Sequence, residues 1–150
     1  MARGDFHLFE EFADQLGSEN HNLENGGDTI KLGLITNVAT PLITATTPTW
    51  TDYSGNEVTP GGNYAAGGPT LANQSYTEVD GVATFDADNI TIAQDAANFT
   101  DADWAILYND TNGTKMAIGF IDLDGPVDGS LGPVNINWNA SGIFTVTITP

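Results

Sequence analysis

The sequence predicts an all-β fold, a β-sandwich or jelly-roll-like domain of short antiparallel strands with a short N-terminal helical arm. Three observations predict it. From Thr29 onward, apolar and polar residues alternate with the period of two that a half-buried strand requires. Turn-forming pairs interrupt the alternation: Asp80-Gly81, Asn112-Gly113, Asp124-Gly125, Asp128-Gly129 and Ser141-Gly142. Helical spacing is nearly confined to the beginning of the chain, which leaves little helix to cover a parallel sheet.

At that beginning, Phe6, Phe9, Phe12, Ala13 and Leu16 recur at helical spacing, with Asp5 placed as N-cap and Gly17 as stop. Residues 6 to 16 are therefore expected to form an amphipathic helix. The polar run from Gly17 to Asp28 reads as a loop or linker, either a tether for the arm or a surface loop folded back on the domain. The expected organisation is a helical arm and linker over residues 1–28 and a β domain over residues 29–150. Phe6, Phe9, Phe12 and Leu16 form the apolar stripe of the arm. The stripe needs cover, either from a partner or from this chain or its oligomer.

Ile30, Leu32 and Leu34 begin the sheet. Thr47 is then a candidate N-cap, Pro48 suits a first helical position, and Gly55 closes one or two turns that carry Trp50 and Tyr53. Residues 60–69, with four glycines and two prolines, make a shaped loop. That loop is not a phosphate cradle, because the Lys-Ser/Thr and following helix of a P-loop are missing. Strands are predicted over Leu71 to Val79, Val82 to Phe85, Ile90 to Ala93, Trp104 to Tyr108, Met116 to Asp122, Val134 to Trp138 and Ile143 to Ile148. No repeat argues for a propeller or solenoid.

Charge excludes more than it assigns. Twenty Asp and Glu face three basic residues, Arg3, Lys31 and Lys115, for a net charge of −17 over 150 residues. Such a chain cannot neutralise phosphates, so neither nucleic acid nor an anionic membrane is an expected partner. A saline habitat would also favour this acidity. No apolar run approaches the ~20 residues of a membrane helix, and the N-terminus has no signal-peptide h-region. With 40% hydrophobic residues the chain can still bury a core. It has no cysteine, hence no disulfide or thiolate site.

A Ser-His-Asp mechanism lacks a base, since His7 and His21 both lie in the predicted arm. The pairs Asp86/Asp88, Asp101/Asp103 and Asp122/Asp124 imitate a glycosidase dyad, but each flanks a turn where Asp serves the backbone. No enzyme activity and no cofactor are expected. The one ion for which ligands are on offer is Ca²⁺, at Asp86, Asp88, Asp122, Asp124 and Asp128, against the alternative of solvated turn aspartates. Six Asn-x-Ser/Thr sequons, at Asn73, Asn89, Asn98, Asn109, Asn112 and Asn139, fit a chain rich in Asn and Thr without a secretory signal.

Four runs carry a resemblance: TPTWTDYSGNEVTPGGNYAAGGPTL, YTEVDGVATFDADNITI, FTDADWAILYNDTNGTKMAIGFIDL and INWNASGIFTVTI. Their order resembles that in small structural proteins of tailed bacteriophages: a W-x-x-Y segment, a Gly-Gly-x-Tyr loop, an aspartate-marked strand, an A-x-L/I-Y-(N/D)-D-T strand, an I-G-(F/Y)-I-D strand and a closing W-N-x-x-G-I. The likeness covers about residues 47 to 148 and falls on scaffold positions. It implies a virion component made in the host cytoplasm. The implied role is a capsid decoration (cement) protein on the capsid exterior, bound to the major capsid protein and favouring a homotrimer. The neighbouring implication is a head-fibre or tail-associated protein that binds a receptor or carbohydrate. For that alternative Trp50, Tyr53, Tyr64, Trp104, Tyr108 and Trp138 are the candidate sugar platforms, although strand aromatics are usually buried.

Overall fold

The computed structural model describes residues 4–149. In chain order the elements are β1 (Phe6–Leu8), α1 (Phe12–Gly17), β2 (Ile30–Ile35), α2 (Trp50–Ser54), β3 (Ser75–Val79), β4 (Val82–Asp86), β5 (Ile90–Ile92), β6 (Ala102–Asn109), β7 (Ala117–Val127), β8 (Val134–Ile136) and β9 (Phe144–Thr147). The fold is all-β and sandwich-like. One sheet has the order β1-β7-β6-β2, a second β3-β4-β9, and β5 and β8 form a two-stranded ribbon, all pairs being antiparallel.

The larger sheet is buried on both faces, as the near-continuous apolar runs 104–108 and 117–121 require. Leu32, Leu34, Ala105, Leu107, Ile118 and Ile121 face the second sheet and the ribbon, where Phe85, Phe144, Ile90 and Ile136 complete the main core. On the opposite face Ile106, Tyr108 and Phe120 pack with Phe9, Trp50 and Tyr53. Trp50 stacks on Tyr108 with centroids 4.8 Å apart and planes 6° from parallel. Only glycine fits at position 33, because a Cβ there would enter the Trp50 ring. The N-cap of α2 is Thr49, not the expected Thr47: Thr49 and Asp52 form a reciprocal capping box.

The N-terminal segment corrects the sequence reading. Residues 6–16 do not form one helix. Phe6–Leu8 is an edge strand on β7, in register Phe6↔Ile121, His7↔Phe120 and Leu8↔Gly119, and only Phe12–Gly17 is helical. The physical reason is that the rings pack into two different clusters, Phe6 and Phe12 in one and Phe9 in the other, and so do not lie on one face. Phe6 goes to Trp138 and Phe144, Phe9 to Tyr53 and Phe120, and Phe12 to His21 and Phe144. A helix of that length is marginal by itself, and strand pairing plus separate burial outcompetes it.

Nor do residues 17–28 form a tether. Leu23 is buried, and the Gln74 amide donates to the carbonyls of Glu24 and Asp28 at 3.1 and 2.9 Å. The expected division at residue 28 thus gives way to one core shared by the N-terminal segment and the strands.

Phe144 connects both sheets and the N-terminal segment, with ring centroids 5.1 Å from Phe12, 5.2 Å from Phe85 and 6.1 Å from Phe6. Replacing Phe144 by Ala should lower unfolding stability by about 3–5 kcal/mol. Thr145→Ala, at an exposed neighbour, should stay within about 0.5 kcal/mol of wild type. Urea denaturation of both variants checks this contrast, and equal midpoints would contradict it.

Candidate functional site

A trough runs along the molecule between the N-terminal segment and β9. Its wider part, about 890 Å³, lies between Asp5, Phe6 and His7 on one wall and Trp138, Asn139 and Phe144 on the other. Its narrower part, about 440 Å³, is lined by Leu8, Phe9, Glu10, Phe12, Ala13 and Leu16 opposite Thr145 and Val146. Thr145 lines both parts, so they are two stretches of one depression.

Local sequence builds each wall. Leu8 faces Gly119 across the β1–β7 pair, and a Cβ at Gly119 would strike the Phe6 ring and the His7 carbonyl, so glycine allows β1 to lie close. Trp138 is fixed from outside the trough: its backbone N–H donates to Asn89 Oδ1 at 2.8 Å and its indole Nε1 to the Asp88 carbonyl at 3.1 Å.

The trough follows two open sheet edges. β1 ends one sheet and β9 ends the other, each paired on one side only. Phe9 N donates to Ile118 O and Ile148 N to Gly81 O. Antiparallel ladders alternate bonded and non-bonded pairs, which turns the N–H and C=O groups of Phe6 and Leu8 away from β7, and those of Thr145 and Thr147 away from β4.

The residues proposed for the arm all line this trough, though not as a helical stripe. Phe6 lies in the wide part, with Phe9, Phe12 and Leu16 in the narrow part. Phe9 and Phe12 are only 1% and 3% exposed, so they form its floor and belong to the chain's own core. Leu8, Thr145 and Val146 were not singled out by the sequence reading. Their signal, period-two alternation, does not tell an edge strand from a central one.

The Ca²⁺ candidates are not brought together. Asp88 accepts from the Asn73 amide, Asp122 from the Asp124 N–H, Asp128 from the N–H and hydroxyl of Ser130, and Asp86 from the Ala87 N–H. Among the described residues no group of three or more His, Asp or Glu is placed to hold a metal ion. The reason is that Asp86, Asp122 and Asp128 accept from N–H groups of their own turns, while Asp88 is tied to Asn73. Of the sugar-platform candidates, Trp50, Tyr53, Tyr64 and Tyr108 are buried in the core, while Trp104 and Trp138 remain partly exposed and only Trp138 lines the trough.

The YNDT motif proves to be a fastening. Tyr108 carries Trp50 and donates its hydroxyl to the Gly67 carbonyl at 2.9 Å. The fully buried Asn109 amide nitrogen reaches the Asn20 carbonyl, His21 Nδ1 and Asp28 Oδ2 at 2.7–3.1 Å. Asp110 receives both Lys31 and Lys115, at 3.1 and 2.8 Å, and the hydrogen bond from Lys115, followed by that from Lys31, holds its carboxyl below the usual range. Thr111 Oγ1 accepts from the Thr29 N–H. Glu57 similarly shapes the glycine-rich loop, accepting from the Tyr64 hydroxyl and the Gly67 N–H at 2.8 and 2.6 Å. Burial is the main cause that pushes the Tyr64 and Tyr108 hydroxyls well above the ordinary tyrosine range.

With this geometry in view, the chain was compared with known proteins: no family model matches it, and no match emerges among curated proteins or solved structures.

His21 sits in the Asn109 knot, where burial lowers its pKa from 6.5 to about 4 against the opposing pull of Asp28. Between those values the unfolded chain binds the proton and the folded chain does not. Stability should therefore fall as pH drops from about 6.5 to about 4, by on the order of 2–3 kcal/mol from this group. The Asp110 contribution has the depressed-carboxyl sign and is lost at lower pH still. Denaturation midpoints across that range, for wild type and His21→Gln, check the claim. A variant with the same acid slope as wild type would contradict it.

Proposed function

We propose that this chain is a non-enzymatic structural protein of a virion. On this reading it is a capsid decoration protein that binds the outer surface of the major capsid protein shell and stabilises it, most simply as a homotrimer. The observation that carries this reading is where the shared motif residues stand. Trp50, Tyr53, Tyr108, Asn109, Asp110 and Gly119 hold sheets and loops together, as a stiff module that braces a shell requires. The resemblance to small structural proteins of tailed phages supplies the virion context. Acidity adds support, because Lys31 and Lys115 are both engaged by Asp110 and leave a strongly anionic outward surface that limits aggregation of virions and sticking to packaged DNA.

One observation favours a second reading, a head-fibre or tail-associated protein that binds carbohydrate. Trp138 stands in the wide part of the trough beside Asn135, Asn137 and Asn139, an aromatic face among amides that suits a neutral sugar.

Co-sedimentation with purified shells of its own phage tests the first reading. Saturable binding and a raised shell-disruption temperature are expected. If the protein stays in the supernatant and instead binds defined glycans in a Trp138-dependent way, the second reading replaces the first.

A further inference from the structure

We propose that the trough is the docking site for an extended, lysine- or arginine-bearing strand of a partner protein, which adds to the open edge of β9 with its apolar side chains over Leu8 and Leu16. The partner's identity as a capsid subunit rests on the function proposed above; the strand chemistry does not.

Three independent features point to this occupant. The first is backbone. The outward N–H and C=O groups of Thr145 and Thr147 are spaced as one edge of a ladder, and a strand laid there would extend the β3-β4-β9 sheet. Phe6 and Leu8 offer the same groups from the other side of the gap.

The second is apolar surface on the trough walls, with more of it exposed next to Glu10. Leu8 and Leu16 are only partly buried, as is Val146. Beyond Glu10, whose N–H donates to the Ile43 carbonyl at 2.9 Å, Leu42 and Ile43 are 62% and 40% exposed. A strand side chain at every second position would meet this surface at successive points.

The third is charge, and it selects among occupants. Asp5 and Glu10 line the trough, and Asp14 is exposed on the adjoining helix. Among the described residues that line it there is no Lys or Arg. A second copy would bring another net charge of −17 to this rim, whereas a basic strand would neutralise it. Acidic residues beside an exposed edge also discourage pairing with copies of the same chain.

The test uses the intact chain and a nine-residue peptide alternating valine with lysine, beside a version with glutamate for lysine. Isotope-edited NMR should show saturable one-to-one binding of the lysine peptide, with amide protection appearing at Thr145 and Thr147. Thr145→Pro removes one outward N–H at an edge that tolerates proline, and should weaken binding at least about tenfold. The pair Asp5→Lys and Glu10→Lys should reverse the preference between the two peptides, a gain that misfolding cannot produce. Absence of saturable binding, equal affinity for Thr145→Pro, or protection of the same amides by dimerisation of the free protein would overturn the proposal. Shells separate it from the functional reading. If wild type and Thr145→Pro both bind shells with the same affinity, the decoration reading stands and the capsid subunit is overturned as the trough's partner; if the peptide results hold but wild type ignores shells, the decoration reading fails and strand docking stands.

Discussion

The packing of Phe144 against Phe6, Phe12 and Phe85 is the interaction on which the rest of this structure depends. No strand of one sheet pairs with a strand of the other among the described residues, so they are joined by side chains. Phe144 lies at the start of β9 and draws β1 and α1 down onto the second sheet. The edges of β1 and β9 do not pair, and the trough is the gap between them, left by closing the sandwich through aromatic side chains instead of strand pairing.

A second constraint is the shortage of cations. With two lysines held on one aspartate, most carboxylates have no ionic partner, and the fold uses them as backbone acceptors instead. Asp28, Asp52, Asp95 and Asp128 each take one or more N–H groups from a turn or helix end. Acidic side chains therefore define loops at no need of a counter-charge. Asp86 and Asp122, which read as ligand candidates in the sequence, accept neighbouring N–H groups in the same way.

The strand pattern was legible because each strand carries its own signal. The runs expected around Ile30, Val82, Ile90, Trp104, Met116, Val134 and Ile143 all contain strands, with ends moved by a few residues where tertiary pairing extends them, as in β7 to Val127. Leu71 to Gln74 falls outside β3 because that stretch bonds instead to β2 and to Asp88, through Leu71 N to Ile30 O and Asp88 N to Ala72 O. The N-terminus was misread for a different reason. Phe6, Phe9, Phe12 and Leu16 satisfy helical spacing, but spacing does not reveal that Phe9 packs in a different cluster from Phe6 and Phe12. Edges were not legible at all, since which strand ends a sheet depends on pairing between distant segments. For the same reason Leu8, Thr145 and Val146 emerged only from the fold.

If β1 and β9 present free edges to the trough, residue-resolved amide exchange on the free protein should alternate, with His7, Phe9, Val146 and Ile148 slow and Phe6, Leu8, Thr145 and Thr147 fast. Thr145 and Thr147 protected as strongly as Val146 would mean that the edge is already covered, and would contradict a free edge at β9.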